Sequence, residues 1–257
     1  MYSIYREEWI DNFRFIEYTE YRLDRPSYML IALPDAGLVG VIAATHLIKQ
    51  LGLNDVGGVD SHLLPPIAVI HRGVPRPPIR IFAKDRLMVV FSEFLPPTPA
   101  LYSFVSAILD YATRRGVDSV VCITGLPIPN RFEVEKLNTY FIPSMPEVGE
   151  KIASLGIKLF ENGYLVGPYA ILIKEAARRR MPAIVILTES FMEFPDPEAS
   201  ARSLEALAKI VGVSIDVKEL LEQAEIIRIK AREHMKRVLP NLAQMKKEYE
   251  YAPPLYT

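Results

Sequence analysis

An apolar run of six residues, Tyr28 to Leu33 (YMLIAL), halts at Pro34-Asp35-Ala36-Gly37 and gives way to Leu38 to Leu51 (LVGVIAATHLIKQL), which Gly52 closes. The first segment is too short for a helix and apolar on every residue, as a strand buried on both faces must be. The second carries a helical pattern with glycine at its C-terminal stop. This change of period recurs. Ser119 to Thr124 (SVVCIT) and Ala183 to Leu187 (AIVIL) read as further buried strands. Pro96-Pro97-Thr98-Pro99 opens a helix that runs to Arg115 and stops at Gly116. Pro146 to Leu155, Gly167 to Arg180, and Asp196-Pro197-Glu198 onward to Val211 read as three more helices.

Strands joined by crossover helices predict a largely parallel sheet covered on both faces, an α/β fold of the three-layer α/β/α sandwich type. Three neighbouring strand candidates, Ile67 to Ile70, Ile79 to Phe82 and Leu87 to Phe91, have only turn residues between them. They predict antiparallel pairing at one side, hence a mixed, mostly parallel sheet.

From Asp216 the pattern becomes one long helix. Asp216 and Glu219 resemble a capping box. Val217, Leu220, Ala224, Ile227, Ala231, Met235, Val238, Leu242, Met245 and Tyr249 recur at steps of three and four, a near-heptad seam, and Pro240 should kink it. The expected organisation is a single core domain over 1–213, a helical segment over 214–250 and an extended tail over 251–257. The seam has three readings: packing on its own domain, a contact between subunits, or a stalk that holds the tail away from the body.

Of the 257 residues half are hydrophobic and a quarter charged, enough apolar surface for a large core. A net charge of −1 supplies no field for nucleic acid or an anionic membrane. The first twenty residues mix Arg6, Glu7, Glu8, Asp11 and Arg14 with aromatics, so no signal peptide is expected, and no apolar run reaches membrane-spanning length. A cytoplasmic protein is the expectation. Twenty-one prolines with few Asn and Gln point toward a thermophilic source.

Candidate chemistry is sparse. Asp35, Gly37 and Gly40 form the candidate ligand loop, where a strand end meets a helix N-terminus that offers N–H groups to an anion. The loop lacks the GxGxxG spacing, and no GK[ST] occurs anywhere in the chain. The structural reading assigns Gly37 to a tight turn and Gly40 to close helix–sheet packing. Glu93 and Glu189 follow predicted strands, where a carboxylate can do acid–base work or simply cap a loop. Cys122, the single cysteine, suits a core position better than a nucleophile. His46, His62, His71 and His234 lack metal-ligand spacing, so neither a metal nor a cofactor is expected. Arg178-Arg179-Arg180 ends a helix, where positive charge suits the macrodipole.

The sequence closes on Ala252-Pro253-Pro254-Leu255-Tyr256-Thr257. Two prolines pre-extend the backbone, Leu255 and Tyr256 offer apolar and aromatic area, and the α-carboxylate of Thr257 supplies negative charge. Such a tail suits a partner that captures C-termini.

Five segments in this order resemble the archaeal members of the proteasome assembly chaperone 2 family: LPDAGLVGVIAATHLIKQLG, FSEFLPP, VVCITGLP, GPYAILIKEAARRRMPAIVILTES and PDPEASARSLEALAKIVGVSIDVKELLEQA. The resemblance covers nearly the whole chain. It implies a nucleoside phosphorylase-like sandwich without that enzyme's active site, homo-oligomers, and binding to 20S proteasome α-subunits as an assembly chaperone homologue or ATP-independent activator. Its docking motif, hydrophobic–tyrosine–any residue, falls here on Leu255, Tyr256 and Thr257. Relatives sometimes carry an ATP-grasp or carboxylate–amine ligase label, for which this sequence has no nucleotide loop. The alternative is a small-molecule enzyme or binder, nucleotide- or nucleoside-like in ligand, using the loop at Pro34 to Gly40.

Overall fold

The computed structural model describes residues 4–71 and 73–226. The chain opens with strands β1 (Arg6–Ile10), β2 (Phe13–Glu17) and β3 (Tyr28–Ala32), then helix α1 (Val39–Leu51) and strand β4 (Asn54–Asp60). A hairpin follows, β5 (Val69–His71) and β6 (Val74–Arg76), leading to β7 (Ile79–Lys84) and β8 (Leu87–Phe91). Next come α2 (Leu101–Arg114), β9 (Ser119–Pro127), β10 (Thr139–Pro143), α3 (Pro146–Ala153) and β11 (Lys158–Leu159). The last elements with both ends described are α4 (Pro168–Arg178), β12 (Ala183–Ser190) and α5 (Pro197–Val211).

Ten strands form one sheet in the order β1-β2-β4-β7-β8-β3-β9-β12-β10-β11. Its centre, β8-β3-β9-β12, is parallel. These are the strands whose apolar runs are continuous, because helices cover both of their faces. Met29, Ile31, Cys122 and Val185 face α2 and α4. Leu30, Ala32, Val121 and Ile184 face α1 and α5. Side chains alternate across each strand, so one run of sequence feeds two cores. The expected three-layer sandwich and mixed sheet are both present.

Antiparallel pairing is more extensive than the sequence pattern indicates. β1, β2, β4 and β7 form an antiparallel wing beside β8, and β10 runs antiparallel to β12. The wing was hidden because β4 reads NDVGGVD and β1 reads REEWI, neither of them a hydrophobic run. α2 covers one face of the wing. There Tyr111 donates to Glu17 at 2.8 Å, its hydroxyl lies 2.6 Å from that of Tyr21, and Arg115 pairs with Glu17.

The expected strand at Ile67 to Ile70 is displaced. Residues 69–71 pair only with β6, in a small sheet of their own. Pro65, Pro66, Pro75, Pro77 and Pro78 lack the donors that a ladder in the main sheet would require.

Beyond α5 the chain crosses α1. Nε2 of His46 donates to the Asp216 carbonyl at 2.6 Å, and the Asp216 carboxylate accepts from Lys218 N at 2.9 Å, starting helical backbone over 218–226. Glu219 pairs with Lys49 of α1 instead of reaching back to complete a capping box. Leu220 is buried in the α1/α5 core, so the seam begins by packing on its own domain. The positions from Ile227 onward, Pro240 and the tail over 251–257 lie outside the described residues.

Candidate functional site

The parallel strands all end on one side of the molecule. Loops 33–38, 92–97, 128–138 and 191–196 therefore share one end, the position at which open α/β sheets build their sites.

The candidate ligand loop stands at its centre. Asp35 accepts from Ala36 N at 2.8 Å and from Thr124 Oγ1 at 2.6 Å. Gly37 N donates to the Met192 carbonyl, Leu38 N to the Asp35 carbonyl, and Asp196 N to the Gly37 carbonyl. Gly37 holds φ at 62°, which favours glycine, and a Cβ on Gly40 would stand 2.4 Å from the Ile123 carbonyl oxygen. The N–H groups of Ala36, Gly37, Leu38 and Val39 thus already have protein acceptors. Beneath the loop, Tyr169 of α4 accepts from Leu33 N at 2.9 Å, and burial pushes its phenol well above the ordinary value, keeping it protonated. Ile31, Leu33, Phe104 and Tyr169 close together with no room for a water.

The densest polar constellation escaped the sequence reading. Arg131, from the turn after β9, gives Nε and one terminal nitrogen to the Asp196 carboxylate at 2.7 and 3.0 Å, and that nitrogen also reaches Glu198 at 2.8 Å. Asp196 meanwhile caps α5 through Ala199 N, at 3.0 Å. Burial works against the Arg131 charge, yet hydrogen bonds and charge from Asp196 and Glu198 outweigh it and raise its pKa. The Asp-Pro-Glu helix start is legible in sequence. Its partner 65 positions away is not. The guanidinium lies over the Phe191 ring, which packs on Phe132 at 4.5 Å and meets Phe194 edge-on. A void of about 10 Å³ beside this cluster, also touched by Ala224, has room for a single water and for no substrate.

The other candidates are dispersed. Glu189 accepts from Asn138 N and Nδ2 at 2.8 and 3.0 Å, which ties β12 to β10. Glu93 is exposed beyond β8, three strand spacings or about 14 Å from Glu189, too far for a shared proton. Cys122 is fully buried and its thiol pKa is raised by that burial. His46, His62 and His71 stand on separate elements, His234 lies outside the described residues, and no described group of three His, Cys, Asp or Glu could hold a metal ion. Arg178 pairs with Glu175, while Arg179 bonds Asp110 and Ser106 and so ties α4 to α2. A wide surface groove of about 1160 Å³ lies between 135–139, β11 and α5, but its charges are mixed, with Lys158 bonded to Asn138 and Arg202 paired with Glu205. Leu255, Tyr256 and Thr257 lie outside the described residues.

What this end does present is apolar surface. Met192 and Phe194 are 66% and 61% exposed, and Leu38 is exposed in the adjoining loop, whose Gly37 N bonds the Met192 carbonyl. Hydrogen bonds from Gly37, Asp35 and Asp196 anchor these side chains on well-tied loops. A clustered apolar rim on a rigid base suits contact with another macromolecule.

A protein of Methanocaldococcus jannaschii, uncharacterized itself, is 25% identical over 240 residues, covering 93% of this chain and 98% of its own. The crystal structure of PbaA from Pyrococcus furiosus, an archaeal homologue of proteasome-assembly chaperone, is similar at a TM-score of 0.76 and 29% identity, over 90% of this chain and 97% of that one. PbaB of the same organism, an archaeal proteasome activator, shares the fold at a TM-score of 0.75 and 21% identity, over 87% of this chain and 99% of its own. The PAC2 family model matches residues 29–235, which take in the parallel centre of the sheet from the second residue of β3 onward, and the chain belongs to the PAC2 family.

Proposed function

We propose that this chain is a non-enzymatic, homo-oligomeric protein that binds 20S proteasome α-subunits, as an assembly-chaperone homologue or ATP-independent activator. The observation that carries the proposal is family membership together with likeness to PbaA along 90% of the chain. The strand-end site supports it from the other side. Ala36, Gly37, Leu38 and Val39 of the loop that would bind a small anion spend their N–H groups on protein acceptors, and Glu93 and Glu189 do not converge.

The contact assigned to the partner is Leu255, Tyr256 and Thr257. The Thr257 carboxylate pairs with a lysine between α-subunits, Tyr256 packs and hydrogen-bonds, and Leu255 fills the apolar side. One short tail binds weakly. An oligomer presenting several gains on the order of a hundredfold or more where geometry allows simultaneous engagement.

The test is a pull-down against purified α-subunits and mature 20S particles, with the full chain and a variant lacking Leu255 to Thr257. Loss of binding with unchanged oligomer mass is expected. Undiminished binding of the truncated variant refutes the tail mechanism, and absence of binding by the full chain refutes the proteasome reading.

A further inference from the structure

Beyond α5 the chain turns back along the domain. α5 starts at Pro197, at the strand carboxyl ends, and stops at Val211. The helical backbone over 218–226 runs the opposite way. Asp216, just before it, meets His46 midway along α1, whereas Ala224 stands with Phe132, Phe191, Asp196 and Pro197 around the small void at the start of α5. This stretch therefore climbs toward the strand carboxyl ends and brings Ile226, 53% exposed, up to the apolar rim. Two of its side chains turn inward. Leu220 is buried between α1 and α5 and Ala224 lines the void, a spacing of four that sets both on one helical face.

At this point the rim is both apolar and acidic. Exposed Phe194 meets Phe191 edge-on, and Phe191 packs on Phe132. Glu133 and Glu193, next to these rings in sequence, are exposed and pair with no cation among the described residues. Glu135 and Lys136 of the same loop offset each other, so an acidic excess remains. The sequence that follows Ile226 has the opposite sign and the same apolar character. Residues 227–239 read IRIKAREHMKRVL, five cations against one carboxylate, and Pro240 ends the run. In helical register Ile227 and Ala231 continue the face already set by Leu220 and Ala224.

We infer that residues 227–239 lie across the strand-end rim of their own domain, with Ile227 and Ala231 toward Met192 and Phe194 and the cations of the segment facing Glu133 and Glu193. Three observations select this occupant. The described helix ends at the rim, its inward face continues in register, and the charges are complementary. Ile227 follows Ala224 by three residues, about 4.5 Å of helical rise, so the apolar contact resumes one turn beyond the Phe132–Phe191 pair. Covalent attachment also gives this segment a local concentration that a separate partner lacks. The inference goes beyond the proteasome reading and does not depend on it. Docking leaves residues 240–257 as the length that carries Leu255, Tyr256 and Thr257 away from the domain.

The test reads backbone amide exchange by mass spectrometry on the full chain. Peptides over 227–239 are expected to be protected in the wild type, since a helix this short is marginal in water unless it packs. A rim variant, Met192→Ser with Phe194→Ser, is expected to exchange there about tenfold faster or more. A charge variant, Glu133→Lys with Glu193→Lys, is expected to exchange about two- to fivefold faster. All four positions are exposed, and unchanged exchange over β9 and β12 certifies that each variant is folded. An unprotected segment in the wild type overturns the inference, as do wild-type rates in either variant. Light scattering on the same samples identifies whose segment covers the rim. A rim variant that loses oligomer mass together with protection, or wild-type protection that fades on dilution, assigns the cover to a second copy and also overturns the inference. A monomeric wild type with a protected segment and a fast-exchanging rim variant refutes the homo-oligomer reading and upholds this one.

Discussion

Replacing Arg131 with Met should cost this protein more than any surface substitution. The guanidinium side chain is 5% exposed and makes three charge-assisted hydrogen bonds, two to Asp196 and one to Glu198. Met fills much of the same volume but leaves two carboxylates at a buried site without their cation. Breaking a buried ion pair from one side costs about 3–5 kcal/mol, which lowers the folding constant by roughly two to four orders of magnitude. Guanidinium unfolding followed by circular dichroism reads this directly as a lowered midpoint. A second arm isolates the cause. In Arg131→Met combined with Asp196→Asn and Glu198→Gln the charges are removed while the Asn side chain still caps α5, so at least half of the loss should return. A single variant that loses less than about 1 kcal/mol refutes the electrostatic account. A triple variant no better than the single one assigns the loss to packing instead.

Gly40→Ala should destabilise the fold by about 1–3 kcal/mol by the same assay, because the new methyl meets a backbone carbonyl that cannot move aside; an unchanged midpoint contradicts the close approach of α1 to β9. Burial pushes the Tyr21 phenol up to about 12, against the lowering effect of its bond to Tyr111, and raises Tyr111 as well. The folded state then holds protons that unfolded tyrosine releases near pH 10, so this stability is intact below about pH 10 and lost as pH rises toward 12. Tyr21→Phe with Tyr111→Phe should flatten that alkaline decline, and an equally steep decline in the variant counts against the assignment. Cys122 should resist a thiol reagent such as dithionitrobenzoate in the folded protein and react on unfolding; rapid labelling of native protein would place it in a different environment.

The parallel centre of the sheet was legible because burial on both faces forces an unbroken apolar run, as Tyr28 to Leu33 displays. Helix stops at Gly52 and Gly212 were legible for a local reason: both hold a left-handed backbone at a C-cap. The antiparallel wing was not. β1 opens on three consecutive charges before an exposed Trp9, and its pairing with β2 depends on a partner strand that is itself only five residues long. The candidate site divides in the same way. Asp35, Gly37 and Gly40 are neighbours in sequence and could be flagged together. Arg131 and Asp196 meet only because β9 and β12 are adjacent strands, a relation that no spacing encodes. The exposed character of Ile70 was equally hidden, since an isoleucine beside valine and alanine reads as core until the surrounding prolines exclude it from the main sheet.

The two outer strands of the large sheet have a consequence for how copies of this chain can meet. A long flat sheet border is a template on which any extended chain can polymerise through backbone hydrogen bonds. Here one border, β11, is two residues long, and the other, β1, carries Arg6, Glu7 and Glu8 in succession. Neither provides a run on which a second sheet could grow. A contact between copies would then fall to side chains and not to sheet borders, and open-ended growth through backbone pairing is disfavoured.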